Sequence, residues 1–270
     1  MSTLLTTSEP RTPRSSWSIA MSVWKALFLR EALSRLFASR TSWFWLFAEP
    51  VLHMAYLMFI FTVIRVRSVG GIETGIFVLV GLIPFFLFRR VGTQVANAVA
   101  PIRPLFAYRQ VKPIDALLVR GVLEAMLLLL IGALVLFGAY LWGYKTMPAD
   151  PLAVAEGMFG LWLLGMGYGL ITSVALELVP GIGRLLGFIM MPLYFVSGVM
   201  YPISRVPQPY RDWLLLNPIP HGLESVRLGF APYYHAVPEL DLAYLYEFAL
   251  VTVFLGLALQ RRFARRLLAK

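Results

Sequence analysis

The feature that most constrains this chain is a set of six apolar stretches, each long enough to cross a lipid bilayer as a helix. A span needs about 20 mostly apolar residues, and the chain is 59% hydrophobic with only 14% charged residues. Inside lipid, backbone amides must be satisfied internally, so spans are helices or closed barrels. The apolar runs, such as 126–137, do not alternate with period two, which favours helices. We therefore predict an all-α integral membrane protein.

The distribution of basic residues predicts how these spans are oriented. With both termini in the cytoplasm, 17 basic residues fall on the cytoplasmic side and 6 outside, with Arg120 at a boundary. Cytoplasmic loops carry the excess of Lys and Arg. The sequence thus indicates a multi-pass bacterial inner-membrane protein with cytoplasmic termini, and its net charge of +10 reflects this bias, not nucleic-acid binding. The six predicted spans are about 45–64, 72–92, 117–141, 153–176, 183–201 and 241–260.

An amphipathic segment precedes the first span. Residues 1–16 are polar and form a predicted cytoplasmic tail, whereas 17–40 is the predicted interfacial helix. Its apolar residues at helical spacing are Trp17, Met21, Trp24 and Phe28. This pattern is typical of a helix lying in the cytoplasmic membrane interface. The alternative is an ordinary first turn leading into the first span.

Two further segments are not spans. The basic, proline-broken stretch 95–116 has an apolar face and predicts a short helix presented to a cytoplasmic partner; the alternative is a solvated loop. The stretch 202–238 lies outside and is too long and too apolar for a simple connector. Its two short amphipathic pieces around Asn217-Pro218 suggest a periplasmic re-entrant hairpin between the fifth and sixth spans, which is tolerated where protein or water covers the backbone.

Catalytic and cofactor chemistry is not evident in the sequence. There are no cysteines, none of the four lysines follows a glycine as a Walker A motif requires, and the three histidines form no metal-binding spacing. We therefore expect a non-catalytic subunit with no catalytic residue, cofactor or metal of its own. Any ATP and Mg²⁺ would be bound by a partner.

Ionisable residues at membrane depth are costly and should face protein or a pathway. Glu49 and His53, and likewise Arg120 and Glu124, are spaced i, i+4 and read as structural pairs. Arg89 and Arg90 are adjacent and unpaired in sequence; they either guide an anionic substrate or snorkel to lipid phosphate. Aromatic residues that sugars can stack on complete the predicted pathway, although each is more often a packing residue: Tyr56, Phe59, Phe85, Phe86, Tyr194 and Phe195.

Four segments in order resemble one known family. They are 29–35 (LREALSR) with 45–50 (WLFAEP), then 81–86 (GLIPFF), then 105–115 (LFAYRQVKPID), and finally 195–202 (FVSGVMYP) leading to 216–222 (LNPIPHG). Together they resemble the type-2 ABC exporter permeases, and the third segment is similar to the capsular-polysaccharide export permeases. The resemblance covers about 25–265, and Arg89-Arg90 depart from it, because many relatives carry small polar residues there.

This resemblance implies the remaining assignments. Residues 17–40 would be a gate helix, 41–265 the type-2 ABC transmembrane domain, and 205–230 the hairpin capping the channel. A coupling helix at about 100–112 would rest in an ATPase cleft. Its contact residues would be Arg103, Leu105, Phe106, Tyr108 and Arg109.

The implied partners follow from the same resemblance. They are a second permease copy forming a homodimer, two ATPase subunits, membrane lipid, a lipid-linked anionic polysaccharide, and periplasmic and outer-membrane export proteins. The implied function is polysaccharide transport for capsule biogenesis. One alternative is a type-2 ABC permease for O-antigen, teichoic acid, an oligosaccharide or a drug. An alternative of another class is a polytopic glycan or lipid transferase, which would need convergent catalytic groups at one membrane face.

Overall fold

The computed structural model describes residues 15–37, 39–64, 68–107, 111–179 and 181–268. Helices dominate this part of the chain, as the apolar pattern predicts. The helices are α1 (Ser16–Phe37), α2 (Ser42–Ile64), α3 (Thr74–Ala96), α4 (Pro113–Leu141), α5 (Pro151–Leu178), α6 (Ile182–Val196), α7 (Tyr210–Leu215), α8 (Pro218–Phe230) and α9 (Leu242–Leu268). Two short 3₁₀ segments cover Ala100–Ala107 and Ile203–Arg205, and two strands, β1 (Ser68–Val69) and β2 (Ile72–Glu73), form a hairpin.

Five of these helices are long and apolar enough to cross a membrane, namely α2, α3, α4, α5 and α9. Each overlaps a predicted span. The remaining predicted span, 183–201, corresponds to α6, whose 15 residues end at Val196. At 1.5 Å per residue α6 is about 22 Å long, which is less than the ~30 Å hydrocarbon core of a bilayer. The chain turns directly after it, where Gly198 has a φ of +70°.

Helix α5 is the hub of the fold and packs against α3, α8 and α9. Glycines allow these contacts: a Cβ on Gly165 would lie 2.7 Å from the Phe88 carbonyl oxygen of α3, and one on Gly169 would lie 2.6 Å from Val95 Cβ. The spacing of Gly165 and Gly169, four residues apart on one face of α5, thus lets α5 and α3 approach closely. Gly187 of α6 makes no such contact. No atom lies within 4 Å of the position that a Cβ on Gly187 would occupy, so that face of α6 is open.

Helix α3 is the central element, because 83% of its most apolar stretch is buried, compared with 11% for α2. Its buried residues meet α4, α5 and α8. Helix α2 attaches to this core by one side only and exposes an apolar row on the other. That row consists of Leu52, Tyr56, Phe59 and Val63.

The β1–β2 hairpin closes the end of the fold opposite α1. Gly70 and Gly71 form its two-residue turn with φ values of +60° and +90°, a conformation that favours glycine. A Cβ on Gly70 would lie 2.6 Å from the ring of Tyr234, and the His235 N–H donates to the Gly70 carbonyl at 3.4 Å. The turn thus packs tightly against the segment that connects α8 to α9.

Candidate functional site

The outward surface of α1 is divided into two rows. One row is apolar and exposed, and its neighbouring row is short or polar. A third side packs on the core, where Leu27 is buried and the Trp24 Nε1–H donates to Asp115 Oδ1 at 2.8 Å. Of the residues predicted to share one apolar face, Trp17 and Met21 are exposed, while Trp24 and Phe28 are partly buried. The apolar row is Trp17, Met21, Leu29, Leu33 and Phe37, interrupted by the exposed Lys25 between Met21 and Leu29, and its neighbour is Ser18, Ser22, Ala26, Arg30 and Ser34.

An ion-pair network joins α1 to α3 and α4. Glu124 of α4 is fully buried and is paired with Arg35 of α1 and, at 3.0 Å, with Arg90 Nε of α3. Glu31 of α1 pairs with Arg120 of α4 and lies 3.4 Å from Arg35 Nε. Burial lowers the pKa of the Arg35 guanidinium, and the Glu124 carboxylate opposes that shift. The charges compensate one another across three helices, as groups removed from water must.

The structural pairs expected within single helices are therefore different in the structure. Arg120 and Glu124 are not joined by an ion pair in the described part of the chain; each is paired with α1 instead. No ion pair joins Glu49 to His53 among the described residues either, and the His53 ring lies 5.4 Å from the Phe86 ring. Spacing along α4 identified Arg120 and Glu124 as charged groups that need partners, but α1 and α3 approach closely enough to provide them.

A polar cavity of about 640 Å³ opens beside this network. It lies between the start of α2 and the second half of α3. Arg89 is exposed there, and its guanidinium carbon lies 5.9 Å from the centroid of the Phe86 ring. Arg89 has no ion pair among the described residues. The lining residues are Arg35, Ser39, Trp45, Leu46, Glu49, Pro50, His53, Phe86, Arg89, Arg90, Thr93, Gln94 and Leu128.

The cavity brings together only some of the predicted pathway residues. Phe86, Arg89 and Arg90 line it, together with Glu49 and His53, which were predicted only as a structural pair. Phe85 is instead buried in the core, with its ring 5.1 Å from that of Tyr194. Tyr56, Phe59 and Phe195 are exposed on the outer faces of α2 and α6.

The predicted coupling segment is a 3₁₀ helix, Ala100–Ala107. Arg103 is ion-paired with Glu177 near the end of α5, which ties this segment to the hub helix. Leu105 and Phe106 belong to the 3₁₀ helix by their backbone. Tyr108 and Arg109 lie outside the described residues.

A second buried charge cluster lies at the opposite end of the fold. Glu224 and Arg227 of α8 are both fully buried and paired at 2.7 Å. The other amino group of Arg227 donates to the Val199 carbonyl at 2.7 Å, and its guanidinium carbon lies 3.9 Å from the Phe77 ring centroid. Tyr234 donates its hydroxyl to Glu224 at 3.0 Å. We call these residues the outer cluster.

His221 secures the same end. Its Nδ1 accepts the backbone N–H of Asp241 at 2.9 Å, so the ring's other nitrogen donates to the Leu215 carbonyl, also at 2.9 Å. These bonds fix α7 and α8 to the start of α9. No group of three or more His, Cys, Asp or Glu side chains able to hold a metal occurs in the part of the chain that the structure describes.

Sequence reasoning missed Arg35 and Gln94 as members of the cavity wall, and Glu31 as the partner of Arg120 on a neighbouring helix. Gln94 accepts a hydrogen bond from Arg35. The available signal was the i, i+4 spacing of Glu31 and Arg35 on a helix otherwise assigned to the interface. Glu224 and Arg227, spaced i, i+3, carried a similar signal in the segment predicted to lie outside the membrane.

These features define a class: a helical membrane domain with a charged cavity at one end and a tightly closed cap at the other. The family model for the ABC-2 type transporter matches residues 22–231. The chain belongs to the ABC-2 type transporter family.

Relatives align along most of the chain. The polysialic acid transport protein KpsM of Escherichia coli is 34% identical over 248 residues, covering 92% of this chain and 96% of KpsM. The capsule polysaccharide export inner-membrane protein CtrC of Neisseria meningitidis serogroup A is 26% identical, covering 89% of this chain and 90% of CtrC. BexB of Haemophilus influenzae, which has the same description, is 23% identical, covering 80% of this chain and 82% of BexB.

Proposed function

We propose that this chain is the permease subunit of an ATP-driven exporter that moves lipid-linked, anionic capsule polysaccharide across the bacterial inner membrane. The observation that carries the proposal is the 34% identity to the polysialic acid transport protein KpsM over 92% of the chain. The polar cavity supports it, because an exposed, unpaired arginine beside an aromatic ring suits a negatively charged sugar polymer.

In the proposed membrane arrangement α2, α3, α4, α5, α6 and α9 are the six crossings, and both termini are cytoplasmic. The bias of basic residues supports this orientation. Helix α1 lies in the cytoplasmic interface with its apolar row in lipid and its short or polar row in water. The segment 205–230, which contains α7 and α8, is the re-entrant cap on the periplasmic side.

The energy source in this proposal is a pair of separate ATPase subunits, since the chain has no Walker A motif. They contact the cytoplasmic segment at about 100–112. The ion pair between Arg103 and Glu177 gives a route by which movement of that segment reaches α5. Because α5 packs against α3, α8 and α9, a displacement there involves both ends of the fold.

A second copy of the permease completes the pathway in this proposal. The exposed apolar faces of α2 and α6 are the surfaces that the two copies present to each other and to the polymer. Tyr56, Phe59 and Phe195 lie on these faces and offer rings on which sugars stack. Membrane lipid, and periplasmic and outer-membrane export proteins, are the remaining proposed partners.

The test is deletion and complementation of the gene in its own host, with surface and intracellular polysaccharide measured separately. Deletion should abolish surface polymer and cause it to accumulate inside. Arg89→Gln should lower export by about tenfold, the change expected when one charge-assisted hydrogen bond is lost. Arg205→Gln, an exposed arginine outside the cavity, serves as the matched control. Normal surface polymer after deletion would refute the proposed function.

A further inference from the structure

Two acid–base pairs face each other across the contact between α1 and α4. On α1 the acid comes first, Glu31 followed one turn later by Arg35. On α4 the base comes first, Arg120 followed one turn later by Glu124. In the structure the pairing crosses the contact, Glu31 with Arg120 and Arg35 with Glu124.

On both α1 and α4, each of these charged residues also has an oppositely charged residue on its own helix, with which it can pair if α1 separates from α4. Residues four apart on a helix are neighbours, so Glu31 can pair with Arg35, and Arg120 can pair with Glu124. The first of these pairs is already 3.4 Å apart in the structure. The Arg120 Nε is buried and has no hydrogen-bond partner among the described residues.

The cost of separating α1 depends on this arrangement. Removing one partner from a buried ion pair is strongly destabilising, because the remaining charge is left uncompensated in a poorly solvated place. When each helix has an internal partner, separation exchanges one set of pairs for another and leaves no charge alone. A static salt bridge would require no such second set.

We propose that α1 docks and undocks by exchanging ion-pair partners, from pairs across the α1–α4 contact to pairs within each helix. Arg35 and Gln94 form part of the wall of the polar cavity, so undocking opens that wall. The role of this opening, admission of an anionic polymer from the cytoplasm, rests on the proposed function; the exchange itself does not.

The other charged groups near the contact are compatible with both states. Arg90 is bound to Glu124 from α3 and stays there when α1 leaves. Gln94 accepts from Arg35 in the docked state and is neutral. Arg30 lies on the exposed row of α1 and Arg89 faces the cavity. Each separated acid–base pair therefore has no net charge of its own, and Arg90 adds one positive charge beside Glu124 in both states.

The decisive variant exchanges the two residues of one cross-helix pair, Glu31→Arg with Arg120→Glu. Both cross-helix pairs survive in the docked state. Undocking, however, would leave two arginines one turn apart on α1 and two glutamates one turn apart on α4. If the ion pairs exchange on undocking, this double variant should hold α1 docked more firmly than the parent does. If they are static salt bridges, α1 should dock as firmly as it does in the parent.

The readout is the rate at which N-ethylmaleimide labels Leu27→Cys in native membranes, because Leu27 is buried under α1 and the chain has no other cysteine. The exchange predicts that Glu31→Arg alone changes the labelling rate little, because its repulsion from Arg120 in the docked state is matched by its repulsion from Arg35 when α1 leaves, and that the double variant lowers the rate about tenfold below the parent. Labelling of the double variant at or above the parental rate overturns the exchange.

Controls separate this result from misfolding and from the proposed function. Arg211→Glu with Glu239→Arg reverses a different ion pair and should leave labelling at the parental rate. The milder pair Glu31→Gln with Arg120→Gln should lower labelling in the same direction by less, because Arg35 then has no partner within α1 when α1 leaves, whereas Glu124 keeps Arg90. The labelling rate needs neither polymer nor ATPase, so the exchange can fail while polysaccharide export stands, or the reverse.

Discussion

The two ends of the molecule both bury ion pairs, but they do so in different ways. In the outer cluster Arg227 and Glu224 are neighbours on one helix and both are fully buried. At the other end Glu124 alone is fully buried, and its partners Arg35 and Arg90, 14% and 22% exposed, come from two other helices. The outer charges are enclosed by a carbonyl, a phenol and an aromatic ring, whereas the inner ones border a cavity.

This difference indicates which end is fixed and which can move. Every approach to Arg227 is blocked by packed protein; even Gly81 lies so close that a Cβ there would be 2.6 Å from the guanidinium. The inner charges have alternative partners within reach, and Arg35 and Arg90 border the polar cavity. We infer that the ion pairs of the outer cluster stay formed. The ion-pair network that joins α1 to α3 and α4, the inner network, can open and close.

The largest expected effect is that of Arg227→Met. It leaves the Glu224 carboxylate buried without its counter-ion, which should cost about 3–5 kcal/mol of stability. The measurement is thermal unfolding of the detergent-purified protein, with Arg211→Met, a partly exposed arginine of the same end, as the control. Retention of the wild-type unfolding temperature would remove the distinction between the two ends.

Glu124→Gln should have a smaller and more local effect. Arg35 and Arg90 lose their shared carboxylate, and we expect α1 docking to weaken by about 1.5–3 kcal/mol, the range for a hydrogen bond to a charged group. Maleimide labelling of Leu27→Cys should accelerate, while the unfolding temperature of the core changes little. A fall in that temperature as large as for Arg227→Met would show that the inner network is equally permanent.

Tyr234→Phe should be milder still, about 1 kcal/mol, because it removes one hydrogen bond to Glu224. It should also change the pH dependence. Burial raises the pKa of the Tyr234 phenol, so its contribution is complete below the ordinary tyrosine pKa of about 10 and is lost as the pH rises further. Comparing unfolding of wild type and variant between neutral pH and about pH 11 tests this; identical losses in both would contradict it.

The smallest effect expected is that of Trp24→Phe. It keeps the ring but removes the hydrogen bond from Nε1 to Asp115, which ties α1 to the start of α4. We expect a loss of about 0.5–1.5 kcal/mol confined to α1 docking. The rate at which maleimide labels Leu27→Cys should rise severalfold, while the unfolding temperature stays unchanged. A lower unfolding temperature would count against the independence of the two ends.

Much of the fold was predictable from the sequence because lipid imposes a simple rule. Apolar length located both ends of α2, α3, α4 and α5 to within four residues and the start of α9 to within one, whereas α9 ends eight residues later than predicted. Residues 17–37 of the predicted N-terminal helix lie in α1, and the apolar segment 202–238 contains α7 and α8, whereas the interfacial position of α1 stays a prediction. The length of α6 was overestimated, because the apolar run continues past the turn at Gly198.

The site was less predictable because it depends on contacts between distant segments. Arg89 and Phe86 were recognised from one helix, but the cavity also needs Arg35 from α1, which no local pattern connects to α3. Arg120 and Glu124 were recognised as charges requiring partners, yet helical spacing favoured pairing within α4. Phe85 was assigned to the pathway because neighbouring aromatics look alike in sequence, although it is buried in the core.

The most direct measurement of a movable inner end and a fixed outer end compares two engineered disulfides in the transporter assembled with the proposed ATPase subunits. One joins Leu27→Cys to Ala116→Cys, whose positions border one small cavity between α1 and α4; the other joins Gly157→Cys to Val226→Cys between α5 and α8. During ATP hydrolysis the first should form less than without nucleotide, and the second should form equally in both conditions. Equal formation of the first disulfide in both conditions would contradict the account.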